Sequence, residues 1–202
     1  TKNTSERKNK MNNPVDITPE NSAANELAKL TRRVQSARMD IIVVVLFTVI
    51  NIALLLFGSL TYFLFSVSLP YYLCYFMSLY TGRMPAEAYG SEWDGFQFLP
   101  DGFFWSAVVV SAVVLAMYAV CFFASQSKKK NEDGSVTVSY SMGWLIAALV
   151  LFSIDTLIYI IMMVLLIEFQ MSMLIDLAIH IYIIVTLVMG VISAYKLKKL
   201  NA

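Results

Sequence analysis

Apolar positions in this chain come in long unbroken runs rather than in a period of two or a one-faced helical pattern. Phe103–Ala124, Trp144–Ile167 and Met171–Tyr195 each hold the roughly 20 apolar residues that one membrane-spanning helix needs. Only Glu168, Phe169 and Gln170 separate the last two, which predicts an antiparallel helix hairpin. The first run, Ile41–Leu79, is too long for one span and tight for two with a turn. Its halves differ. Ile41–Leu56 is aliphatic, with Asn51 as its polar interruption, whereas TYFLFSVSLPYYLCYFMSLY is rich in Tyr and Phe and carries Pro70 in its middle. Aromatic side chains collect at the membrane–water boundary, and proline breaks a helix interior. The run therefore reads as one span, 40–65, followed by a bent aromatic segment at the outer interface or re-entering it.

The polar stretches between these runs are informative too. Residues 1–18 are Asn-, Lys- and Ser-rich without an apolar period and read as disordered. Thr18, Pro19 and Glu20 form a helix start: a capping hydroxyl, proline at the first position, an acid in the first turn. From there Ala23, Leu27, Leu30, Val34 and Ala37 recur at three- and four-residue spacing. This predicts an amphipathic helix over 19–37 that either lies on headgroups, docks on a partner or sister subunit, or continues the first span as a solvated helix. The loop within 66–102 sets Arg83 against Glu87, Glu92, Asp94 and Asp101, and its Gly, Pro and Trp content suggests order. The connector 125–143 is basic, turns at Asp133-Gly134, and ends in SVTVSY, which alternates weakly like a strand.

Charge then fixes the topology. Of 15 Lys and Arg, all but Arg83 fall in three stretches: the N-terminal tail ending in Arg32, Arg33 and Arg38, the run Lys128, Lys129 and Lys130, and Lys196, Lys198 and Lys199. Basic residues beside membrane spans are retained on the cytoplasmic side. A two-span reading of Ile41–Leu79 would put Lys128–Lys130 outside, so the bias selects one span. The expectation is an all-α, four-helix transmembrane bundle with both termini and the 125–143 loop in the cytoplasm. Its membrane domain covers 39–196, behind a polar tail over 1–38.

Composition agrees. A mean hydropathy of +0.67 and 58% hydrophobic residues exceed what an ordinary soluble domain carries. The basic residues flank apolar runs instead of forming an aromatic-interleaved stripe, which argues against nucleic-acid binding. A secretory leader pattern is not evident in the N-terminal residues. Cys74 and Cys121 fall near opposite membrane faces in this topology, too far apart for a disulfide. Ala112 with Ala116, and Gly190 with Ala194, are small pairs four apart that permit close helix approach.

Candidate chemistry is confined to a few polar residues inside the spans: Asp155, Asp176, His180 and Asn51. An acid at the bilayer centre costs about 2.5–3.5 kcal/mol on insertion scales, so it faces the bundle and finds a partner. Asp176 and His180 are four apart and share a helix face. Across the hairpin, an Asp155–His180–Asp176 ladder is geometrically allowed. Three readings compete. A proton or cation relay would use the His near neutral pH. A divalent metal site would lack an evident fourth ligand. The heaviest of the three is a buried polar clasp fixing the hairpin register, with Asp155 bonded to Ser153, Thr156 or Asn51. Catalytic signatures and cofactor fingerprints are absent from the sequence.

The patches TYFLFSVSLPYYL (61–73), TGRMPAEAYG (81–90), GWLIAALVLFSIDTL (143–157) and IDLAIHIYIIVTLVMGV (175–191) resemble a group of four-span integral membrane proteins from anaerobic Gram-positive bacteria. The resemblance covers roughly 40–195. It implies a multi-pass protein of the bacterial cell membrane and keeps Asp155, Asp176 and His180 within matching patches, without implying an activity. The functional expectation is a non-enzymatic accessory or scaffold subunit that works through the lipid bilayer, a membrane-protein partner or a homo-oligomer, with no cofactor and no metal. A small carrier or channel subunit using the Asp/His ladder is the alternative, and an intramembrane enzyme the third.

Overall fold

The computed structural model describes residues 19–59, 61–130, 133–134, 136–165 and 171–200. Five helices follow in the order α1 (Pro19–Leu56), α2 (Ser68–Tyr80), α3 (Gly102–Ala124), α4 (Met142–Leu165) and α5 (Met171–Leu200). Between α3 and α4 lies a two-stranded antiparallel hairpin, β1 (Gln126–Lys130) and β2 (Val136–Tyr140), in register Gln126↔Tyr140 to Lys130↔Val136. Thus Lys128, Lys129 and Lys130 sit on a strand, a placement their charge did not suggest. The fold is all-α apart from this ribbon.

α1, α3, α4 and α5 are long and apolar enough to cross a membrane, yet only 28% to 33% of each apolar window is buried inside the bundle. Val113, Leu157 and Ile181 are each more than half exposed. An aqueous protein does not leave contiguous apolar faces of this size open. They are lipid-facing, and the chain is a multi-pass membrane protein.

The expected amphipathic helix and the first span are one uninterrupted element, α1, of 38 residues and about 57 Å. The apolar seam is not free for headgroups or a partner. Leu30, Val34, Ala37, Ile41 and Val44 are buried in one core with Ile183, Leu187, Ala194 and Leu197 of α5, while Ala23 and Leu27 at its start stay open. α5 therefore runs past its expected end at residue 195 and covers the seam. Gly190 makes this approach possible, because a Cβ there would overlap the Cβ of Ala37. The other small pair, Ala112 and Ala116, is exposed and makes no such contact.

The expected first span, 40–65, is corrected at its far end. Helix α1 stops at Leu56, and residues 57–59 and 61–67 are non-helical. Of the two expected placements for the aromatic segment, at the outer interface or re-entering it, α2 takes the second: it lies inside the bundle, with Ser68, Tyr71, Cys74 and Ser78 buried. Its partner is chiefly α3, where Ser111 Oγ donates to the Pro70 carbonyl at 3.0 Å and meets Cys74 Sγ at 3.3 Å. Pro70 does not break this helix, because it occupies the first turn, where its missing N–H has no intrahelical partner to lose. Cys74 and Cys121 are both free and buried.

Above α2 the chain forms an aromatic cap. Trp93 lies against Phe96 at 4.8 Å, against Tyr89 at 5.4 Å and parallel to Phe98 at 6.2 Å. Gly82 follows the helix end with φ +72°, and a Cβ there would press on the Phe98 ring at 3.2 Å. Arg83 bridges Asp101 at 2.8 Å and lies over the Phe104 ring at 4.5 Å. The expected order of the 80–102 loop is therefore real, and aromatic packing rather than acidity creates it. The tail 1–18 and the hairpin turn Glu168, Phe169, Gln170 lie outside the described residues.

Candidate functional site

The non-helical stretch after α1 returns into the bundle, which poses a problem of backbone hydrogen bonding. Non-helical backbone is tolerated at membrane depth only where protein satisfies its N–H and C=O groups. The polar residues of the spans do this. Asn51 uses both ends of its amide on one residue: Nδ2 donates to the Phe63 carbonyl at 2.8 Å and Oδ1 accepts the Phe63 N–H at 2.8 Å. One turn earlier on α1, Thr48 Oγ1 accepts the Val67 N–H at 2.7 Å while donating to the Val44 carbonyl.

Asp155 completes the series. Its Oδ2 accepts the Ser68 N–H at 2.9 Å and its Oδ1 the Leu69 N–H at 2.8 Å. These are two of the orphan donors that open α2, and Pro70 contributes none. A carboxylate from mid-α4 thus caps a helix 87 residues earlier in the chain, on the end where the helix dipole is positive. Hydrogen bonds to a charged group contribute about 1.5–3 kcal/mol each. Two of them match or exceed the roughly 2.5–3.5 kcal/mol cost of an acid at this depth.

His180 sits beside this cap, clasped between the Phe152 and Tyr159 rings, each at 5.0 Å and close to parallel. Its Nδ1 meets Thr156 Oγ1 at 3.1 Å and its Nε2 meets Ser68 Oγ at 3.2 Å. Thr156 already donates to the Phe152 carbonyl, so it accepts from Nδ1–H. That leaves Nε2 bare to accept from Ser68. The neutral Nδ1–H tautomer satisfies all three groups.

Asp176 stands apart. Tyr62 Oη donates to its Oδ2 at 2.9 Å, and Ser66 Oγ, 2.7 Å from the same Oη, is then the donor to Tyr62. The Phe65 amide faces this carboxylate from a left-handed backbone, φ 67°, yet Oδ1 accepts no hydrogen bond of normal geometry and is buried.

The Asp155–His180–Asp176 ladder is therefore not what forms. No carboxylate bonds the imidazole, because Ser68 occupies the place between Asp155 and His180. The expected partners of Asp155 are also corrected: Ser153 turns back to the Leu149 carbonyl, Thr156 serves His180, and Asn51 serves Phe63. Among the described residues, no three His, Cys, Asp or Glu side chains converge as a metal set. Thr48, Tyr62, Ser66 and Ser68 were missed by sequence reasoning. The signal for one of them was present: Ser68 two residues before Pro70 inside an apolar run is a helix-start signature.

At the opposite end of the bundle, Arg38 is buried at 8% exposure. The other basic anchors, Arg32, Arg33, Lys128, Lys129, Lys130, Lys196, Lys198 and Lys199, cluster at that same end on α1, β1 and α5. Lys196, Lys198 and Lys199 directly follow the apolar run of α5 and form its last turns.

Fold and site together define a multi-span α-helical membrane protein built around an internally capped half-helix. No known protein family, curated protein or solved structure matches the chain.

Proposed function

We propose that this chain is a non-enzymatic accessory or scaffold subunit of the bacterial cell membrane, with both termini and the β-hairpin in the cytoplasm. The observation that carries the reading is the commitment of Asn51, Thr48 and Asp155 to the backbone that leads into α2. Side chains spent on holding a segment still make that segment a pedestal, and the aromatic cap stands on it. Phe96 and Phe98, at 39% and 47% exposure, are the fixed apolar surface this pedestal presents to a partner. The amides that would stabilise an oxyanion beside Ser68 are already taken by a carboxylate, which lowers the standing of a hydrolytic Ser68–His180 pair.

Phe96→Asp should strip co-purifying membrane proteins from the tagged chain in mild detergent while loosening only the aromatic cap and leaving the helical bundle folded. A chain recovered alone before any substitution would count against the scaffold. The carrier reading keeps one specific support, the unpaired Asp176 Oδ1, a group that could exchange a proton or cation. It expects a pH-driven flux in proteoliposomes that Asp176→Asn abolishes. Absence of flux under any gradient removes it.

Orientation rests on the basic clusters and has its own test. Because both native cysteines are buried, single cysteines at the exposed positions Ser91 and Ser127 are the reporters. An impermeant maleimide on intact cells should label Ser91→Cys and spare Ser127→Cys. The reverse order would invert the topology.

A further inference from the structure

Among the described residues, Arg38 is a buried cation whose bonded partners are all neutral. Its Nε donates to Ser125 Oγ at 2.7 Å, one terminal nitrogen to Gln126 Oε1 and the other to the Phe122 carbonyl at 3.0 Å. All three acceptors are neutral, and the Phe122 ring lies 4.8 Å beneath the guanidinium. Asp40, the nearest acid in sequence, is bonded to Thr186 on the α5 side. Arg83 and Asp101 form an ion pair at the other end of the molecule. A buried charge needs an opposite charge as well as hydrogen bonds, and this one has only the bonds. A guanidinium carries five N–H donors. The three bonds above leave two, one on each terminal nitrogen, and charged donors of this kind bind phosphate oxygens strongly.

Those donors border a cavity of about 690 Å³ between α1, α3 and β1. Its polar wall holds Arg32, Arg38 and Lys128, with no acidic residue in the lining. Its apolar wall is Met39 and Phe123, which are 54% and 68% exposed. The level of the cavity matters as much as its lining. Arg38 and Met39 immediately precede the apolar part of α1, and Phe122 and Phe123 are in the last turn of α3. That is the height at which bilayer headgroups lie. An anion beside the buried guanidinium would favour its charged form.

We propose that this cavity holds the phosphate of an anionic membrane lipid, with Arg38, Arg32 and Lys128 around the headgroup and an acyl chain along Met39 and Phe123. The apolar wall is what selects a lipid over a free phosphate. Cations at a bilayer surface each favour anionic lipid by a measurable amount, and the buried Arg38 adds directed hydrogen bonds to that.

The test is native mass spectrometry of the full-length chain in detergent, titrated with phosphatidylglycerol and with phosphatidylcholine of matched chains. Phosphatidylglycerol should remain bound where phosphatidylcholine is stripped. Arg32→Gln combined with Lys128→Gln should weaken that binding by about 30-fold. Both side chains are exposed, so the double variant keeps the fold. Arg38→Gln should remove the selectivity as well, but it also disturbs the Ser125 and Gln126 contacts and is the secondary variant. Equal retention of the two lipids, or unchanged affinity in the double variant, overturns the proposal. Displacement of the lipid by millimolar inorganic phosphate would assign the cavity to a soluble anion and overturn the lipid assignment. The inference rests on the membrane reading, and liposome flotation separates the two: a chain that never floats fails as a membrane protein, whereas one that floats without headgroup preference fails only here.

Discussion

Asp155→Ala should release the re-entrant segment while leaving the four spans inserted. Removing the carboxylate strands the Ser68 and Leu69 amides in a place water does not reach. A buried donor left unpaired costs about 1–3 kcal/mol, so the pair together costs about 2–6 kcal/mol. That is a large part of the 5–15 kcal/mol by which folded proteins are stable. Loss of a charge from α4 eases its insertion, but that gain applies equally to the inserted, unassembled helix and does not restore the folded state. Thermal unfolding in detergent should show a much lower midpoint. Cys74, fully buried on α2, should become reactive to maleimide. Asp155→Asn retains one acceptor and should lie between the two. An alanine variant as stable as the parent, with Cys74 still protected, would mean that the cap is incidental.

The second large effect is expected where α1 meets α5. Gly190→Ala places a methyl group onto Ala37, in the interface that ties the extramembrane part of α1 to the bundle. Overpacking of this kind costs about 1–3 kcal/mol, and here it also strains the Asp40–Thr186 hydrogen bond, 2.5 Å, which lies one turn away on each helix. Ala37→Gly in the same chain returns the volume. The swapped pair should therefore recover most of the lost stability, less about 1 kcal/mol for glycine within a helix. A neutral Gly190→Ala, or a swap that rescues nothing, would place the close contact elsewhere.

Span number and class were legible because hydropathy and length bear directly on bilayer crossing. The ends were less so. Leu56 was passed over as a terminus although Gly58 and Ser59 follow it, a glycine stop at the end of a helical run. What stops α1 locally is Gly58, left-handed at φ +74°, with the Gly58 and Ser59 N–H groups donating back to the Leu55 and Leu54 carbonyls. The bonds of Asn51 and Thr48 to Phe63 and Val67 then hold the returning chain, and those partners have no local signature. Pro70 was read as a mid-segment bend, but its true meaning depended on where the helix began. The site residues were found by the simple rule that acids and His do not enter a membrane without purpose. Their partners were not found, because depth along two antiparallel helices was compared without the third segment that inserts there. Ser68 therefore took the place assigned to a direct carboxylate–imidazole contact. The apolar seam of residues 30, 34 and 37 was seen correctly as a contact surface, while its occupant, α5, lay more than 140 positions away in sequence.

The bonds of Ser68 also constrain the order of assembly during synthesis. Its partners Asp155 and His180 stand 87 and 112 residues downstream, so they do not yet exist when residues 57–80 leave the ribosome. Until α4 and α5 arrive, the descending backbone has no acceptor for its Ser68 and Leu69 amides inside the bilayer and is better solvated by water. The segment should therefore enter the bundle after its neighbours, although it is made second. A nascent chain halted before α4 should present residues 61–73 to proteases or glycosylating enzymes that a completed chain excludes.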